Sequence, residues 1–132
     1  MYKRQVQLWQ QVWEESGQEG ELTNYRIYGM SQAYTTVQAL QAAGQNPTRD
    51  GLVDAIEQAG GDWEGPVLAP FRYSDKTHMG TSGMSISRIK GTGTEEVEPV
   101  QTTDLGKAAI KPHDGKESAP PKDGIPDEQP VD

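Results

Sequence analysis

Cysteine is absent from the 132 residues, which excludes a disulfide framework, a cysteine zinc site and a cysteine nucleophile. Large apolar residues are scarce. Val, Leu, Ile and Phe together number 21, about 16% of the chain, below the roughly 20% at which a charged chain struggles to build a core. Basic residues are outnumbered by acidic ones, 12 against 20, for a net charge of −8. That balance, with no basic cluster, argues against a nucleic-acid partner, which is bound by neutralising its phosphates. No apolar run is long enough for a membrane span. The start Met1-Tyr2-Lys3-Arg4 carries positive charge, but Gln5-Val6-Gln7-Leu8 and the residues after it do not form the apolar stretch of a signal peptide. The length suits one ordinary domain and leaves no room for a large multidomain enzyme.

What is present is unevenly distributed. All nine aromatic residues lie between Tyr2 and Tyr73, whereas 104–132 holds five of the nine prolines, seven acids, four lysines and no aromatic residue. The composition therefore predicts an ordered region over 1–103 and a disordered, acidic, Pro-rich tail over 104–132, because such a segment buries too little apolar surface to offset its ordering entropy. The tail's prolines are too irregularly spaced for a repeated P-x-x-P ligand.

Periodicity predicts three helices. The first covers Lys3 to Ser16, with Val6, Trp9 and Trp13 on one stripe, Leu8 and Val12 widening it, and Gly17 as a stop. The second covers Gly29 to Ala43, with Met30, Ala33, Tyr34, Val37 and Leu40 on one face and Gly44 at the left-handed position after the helix. Thr48 suits the N-cap of the third, which runs from Arg49 to Ala59 with Asp50 in its first turn and Leu52, Val53 and Ile56 inward. Beyond Gly61 the pattern alternates. Val67 to Tyr73, broken by Pro70, reads as an edge strand or bent connection, and Met84 to Val100 as a hairpin turning at residues 90–94.

Most chemical signatures fail. His78 has no partner at metal-ligand spacing, and His113 falls in the tail, so no metal site is expected. Gly91-Thr92-Gly93 starts like a phosphate loop, but the glycine pattern breaks at Glu96 and no helix follows. The acid pairs Glu14-Glu15 and Glu95-Glu96 sit on polar faces rather than in a cleft. For Ser82 no histidine is placed by the sequence to activate the hydroxyl as a nucleophile. The residues support no catalytic assignment and call for no cofactor.

Aromatic residues offer the remaining candidates. Trp9 and Trp13 at helical spacing favour packing over ligand contact, and finding both exposed would favour a piece of a larger fold. Tyr25, Tyr28 and Tyr34 gather around the expected start of the second helix. A helix N-terminus with Gly29, the hydroxyls of Tyr28 and Ser31 and an aromatic wall suits a small polar ligand carrying a carboxylate or amide. Tyrosines packing a helix start account for the cluster equally well.

The order Tyr28-Gly29-Met30-Ser31 through Ala39-Leu40 to Ala43-Gly44, then Thr48-Arg49 leading into Leu52-Val53, then Gly65-Pro66-Val67-Leu68, and finally Met84-Ser85-Ile86-Ser87-Arg88-Ile89-Lys90, resembles the C-terminal third of the periplasmic substrate-binding proteins of the branched-chain amino acid type. The resemblance covers residues 3 to 101. It implies an α/β class, part of a two-lobed type I periplasmic-binding-protein fold whose lobes are built on parallel sheets, with the helices and a short strand pair seen here. It implies capture of a small molecule, an amino acid or amide, and delivery to the membrane permease of an ABC importer. By motif position the ligand-facing stretch is Tyr28, Met30 and Ser31. The parent would be extracytoplasmic, and the chain a portion of it. The alternatives are a ligand-sensing or protein-interaction domain reusing the fold, and a truncated product without independent function. Even within 1–103, Val, Leu, Ile and Phe number only 17, as outer-layer helices and a closing strand would give, because the apolar strands of a parallel sheet would lie elsewhere.

Overall fold

The computed structural model describes residues 3–65, 67–69, 73–78, 80–103, 109–114 and 118–131. It combines three helices with a small antiparallel sheet, an α/β class in the general sense. Helix α1 spans Lys3–Glu15, α2 Asn24–Ala42 and α3 Arg49–Ala59, followed by a 3₁₀ turn at Gly60–Asp62. Strands β1 (Gly83–Lys90), β2 (Gly93–Thr102) and β3 (Lys111–Pro112) form the sheet in that order. Among the described residues no helix is long and apolar enough to cross a membrane.

Helix α1 stops where the sequence predicts. Gly17 takes φ 65°, a left-handed conformation that glycine reaches without steric cost. The loop to α2 is stitched by Arg26. Its guanidinium lies 4.2 Å from the ring centroid of Trp13 and donates to the carbonyls of Glu21 at 2.7 Å and Glu19 at 3.3 Å. Trp13 Nε1 donates to the Gly20 carbonyl at 3.2 Å.

The start of α2 corrects the sequence reading. The helix begins at Asn24 rather than Gly29, with Thr23 Oγ1 accepting from the Arg26 amide. Gly29 sits inside the helix, and an added Cβ there would meet nothing within 4 Å; α2 carries it at the roughly 1 kcal/mol that glycine costs against alanine. The C-terminus follows expectation, since Gly44 adopts φ 78° and donates to the Gln41 carbonyl at 3.0 Å. Helix α3 also follows it, with Thr48 Oγ1 accepting from the Gly51 amide at 3.0 Å and Asp50 in the first turn.

The core is made of small residues around one large one. Ala39 and Ala42 of α2, Ala55 of α3 and Trp63 are buried together, with Leu52, Ile56 and Val131 packed partly against them. Alanines let the helices approach closely, and Trp63 fills the space their short side chains leave. The expected apolar faces shift accordingly. The buried residues of α2 are Tyr34, Gln38, Ala39 and Ala42, while Val37, Leu40 and Val53 are exposed. Trp9 is buried and meets Tyr34 edge-on, so the condition that would have marked an orphaned tryptophan pair is not met.

The hairpin forms as predicted, with Lys90 opposite Gly93 across a two-residue turn in which Gly91 has φ 62°. Its register shifts between Met84 and Ile86 and again between Ile86 and Ser87, each time with the extra residue on β2, so the strict alternation breaks in β2 between Glu96 and Gln101. Residues 67–69 are bends rather than a strand, and the rest of the predicted strand, 70–72, lies outside the described residues. The described sheet is antiparallel throughout; no parallel sheet occurs among the described residues.

The expected tail also differs. Residues 104–108, 115–117 and 132 lie outside the described residues. Lys111–Pro112 pairs with β2, and the His113 amide donates to the Val100 carbonyl at 2.7 Å. Residues 118–131 lie along α2, where the Val131 amide donates to the Ala42 carbonyl at 2.9 Å. Composition predicts disorder because it counts apolar surface, but this segment is held by hydrogen bonds to the Gln38 and Gln41 side chains, to the Gly65 backbone and to the Ala42 carbonyl at the end of α2.

Candidate functional site

One face of α2 opens onto a half-open cavity of about 300 Å³. Tyr28, Gln32 and Thr35, at i, i+4 and i+7, supply its α2 wall, with Ile56 of α3, Trp63, Tyr73, Gly80 and Thr81 completing the described lining. Tyr28 is exposed and forms the outer rim, while Trp63 is buried and forms the floor. Three aromatic rings, two of them phenols, with one amide and two threonine hydroxyls make a surface for a small molecule with an apolar body and neutral polar groups. No charged side chain is among the described lining residues.

Behind the cavity a polar brace fixes the loop that carries Tyr73. His78 stacks on Tyr73 with ring centroids 4.6 Å apart and planes 9° from parallel. His78 Nε2 and Glu57 Oε1 of α3 are 2.9 Å apart. This brace is local, and among the described residues no group of three His, Asp or Glu side chains could hold a metal.

Of the three residues placed by motif position, only Tyr28 lines the cavity. Ser31 Oγ donates to the Ile27 carbonyl one turn back at 2.9 Å, and its own carbonyl accepts from Thr35 Oγ1 at 3.1 Å. Met30 is half-buried and not part of the described lining. The helix N-terminus expected beside them is at Thr23 instead, so the amides of 28–31 are not free to receive an anion. Sequence reasoning missed Trp63 and Tyr73. The available signal was aromatic residues near Gly60-Gly61 and Ser74, each next to backbone that must turn.

A second polar constellation lies where α2 meets residues 118–131. Gln38 is almost fully buried, and its Nε2 donates to the Glu64 carbonyl and to Glu128 Oε1, both at 2.8 Å. One turn earlier, Tyr34 is 7% exposed and its hydroxyl has no hydrogen-bond partner among the described residues. Burial, helped by the carboxylates of Glu128, Asp123, Asp127 and Glu64, pushes the Tyr34 hydroxyl up from 10.0 to about 12. Both act in one direction, since each disfavours the phenolate.

No family model, no curated protein and no solved structure matches the chain.

Proposed function

We propose that this chain is the C-terminal portion of an extracytoplasmic solute-binding protein that captures a small polar ligand, of the amino acid or amide type, for the permease of an ABC importer. The observation that carries the reading is the aromatic cavity, where Tyr28 shares a wall with Gln32 and Thr35 opposite Trp63 and Tyr73. The order of sequence motifs that carries the resemblance supports the reading further, from Tyr28 through Gly44 and Thr48 to Lys90. Binding is non-covalent: the rings cover the apolar part of the ligand, and Gln32, Thr35 and Thr81 orient its polar groups. The cavity is half-open, so one side of a ligand stays in water until closure of a second lobe covers it.

Calorimetric titration of the chain with a panel of amino acids and their amides tests the reading. The expected result is no binding in the micromolar range, because the half-open cavity leaves much of the ligand in water; micromolar affinity would overturn the two-lobed assignment. The genomic locus tests the role. An in-frame continuation upstream of Met1 encoding a first lobe, beside permease and ATPase genes, is expected. Neighbouring transcription regulators or amidases would assign ligand sensing instead.

A further inference from the structure

Residues 118–131 have little regular structure, yet they are engaged at both ends and along their length. Ser118 Oγ accepts from the Gly65 amide at 3.0 Å and donates to the Gly65 carbonyl at 2.9 Å. Gln41 then treats the segment as a neighbouring strand would: its Nε2 donates to the Pro126 carbonyl at 2.8 Å and its Oε1 accepts from the Glu128 amide at 3.3 Å. Glu128 places its carboxylate on the buried Gln38 amide. Val131 donates its amide to the end of α2 and packs against the alanine–tryptophan core. At the other side the chain passes close to α1 at Gly124, where an added Cβ would lie 2.5 Å from Leu8 Cδ1, and Gly124 itself takes φ 75°. A small cavity of about 160 Å³ between α1 and 120–124 marks the seam.

These contacts have the layout of extended-peptide recognition. Main-chain groups are read in both directions, one side chain enters a polar pocket, and another caps an apolar core. Prolines at 120, 121, 126 and 130 restrict the backbone before it docks and so reduce the entropy lost on binding. One term opposes closure. Residues 118–131 give the buried Tyr34 hydroxyl no partner, and three of the four carboxylates that help hold it protonated, Glu128, Asp123 and Asp127, are theirs. A buried, unpaired hydroxyl favours the open state.

We propose that the groove formed by Leu8, Gln38, Gln41, Ala42 and Gly65 is a recognition site for an extended, acidic, proline-containing peptide, and that residues 118–131 of the same chain are its occupant, a releasable strap. This inference does not depend on the solute-binding reading.

Hydrogen exchange of the full chain tests it, with a synthetic peptide of residues 118–131 as the reference. The Glu128 and Val131 amides are expected to exchange at least tenfold more slowly in the chain than in the peptide. Gln41→Ala returns both to the peptide rate while the Ala55 amide in α3 keeps its protection. Because Gln41→Ala lies in a helix, a strap-side variant, Glu128→Ala with Val131→Asp, provides the second arm. In that variant the Trp9 indole resonance shifts, and adding the synthetic peptide in trans moves it back. Peptide-like exchange in the unaltered chain, or no response of the strap-side variant to the peptide, overturns the proposal. So does protection found only in a concentration-dependent dimer, which would place the strap on another copy.

Discussion

The indole of Trp9 meets the ring of Tyr34 edge-on, with centroids 6.0 Å apart and planes at 86°. In this T-shaped geometry the positive edge of one ring faces the negative face of the other. The pair joins α1 to α2, so α1 depends on it more than on its flanking valines, Val6 and Val12, which are 41% and 39% exposed. Trp9→Ala is expected to destabilise the chain by about 3–5 kcal/mol, read as a lower urea midpoint. Val12→Ala should cost well under half as much.

Tyr34 also fixes how stability responds to alkali. Below pH 10 its hydroxyl is neutral in both folded and unfolded chains, so its contribution there is constant. As pH rises from 10.0 to about 12, the unfolded chain releases this proton while the folded chain retains it. The unfolded state then binds fewer protons, and stability falls with rising pH, by at most about 3 kcal/mol. Tyr34→Phe should remove this loss from denaturation curves taken across that window. It should cost little at neutral pH, since the hydroxyl it deletes has no partner among the described residues.

The two threonine caps are unequal. Thr48 accepts from the Gly51 amide at 3.0 Å, whereas Thr23 accepts from the Arg26 amide at 3.4 Å. Thr48→Ala is expected to cost about 1–2 kcal/mol and Thr23→Ala nearer 0.5 kcal/mol, compared by chemical denaturation. A reversed order would mean that Arg26, through Trp13, leans on the Thr23 cap more heavily than the distances suggest.

Gly83 is closed to substitution by its neighbours rather than by its backbone angles. A Cβ there would lie 2.9 Å from both the Cβ and the amide nitrogen of Ala69, and 3.0 Å from Leu68 Cβ. Gly83→Ala must therefore push the 67–69 bend away from β1, at about 1–3 kcal/mol. At the hairpin turn the situation is reversed: a Cβ added by Gly91→Ala meets nothing within 4 Å, and the change is penalised only through the positive φ at that position. Crossing the two substitutions on a thermal denaturation scale separates steric from conformational cost.

Much of this architecture is written in punctuation. Gly17, Gly44 and Thr48 are local devices whose physics needs no distant partner, and the ends they set agree with the structure. The beginning of α2 is harder to read because Tyr28-Gly29 imitates a turn, while the cap, Thr23, has no acidic residue in the first turn beside it. Gln38 and Gln41 are harder still. A glutamine on a helix reads as solvated, and only the return of residues 118–131, some ninety positions later, makes these two the anchors of a buried network. The cavity is half legible. Tyr28 stands out among clustered tyrosines, but Trp63 and Tyr73 join it through tertiary proximity that no spacing rule carries.

The uneven register between β1 and β2 bears on the exposed edge of the sheet. Among the described strands β1 lies at the edge of the sheet, and Ile89 is 82% exposed with Met84 and Ile86 about half bare. A straight strand of that kind would template edge-to-edge growth. The two register shifts put extra residues on β2 opposite Met84 to Ser87, and the added twist that such bulges give a strand pair turns the β1 edge away from the flat template that strand addition needs.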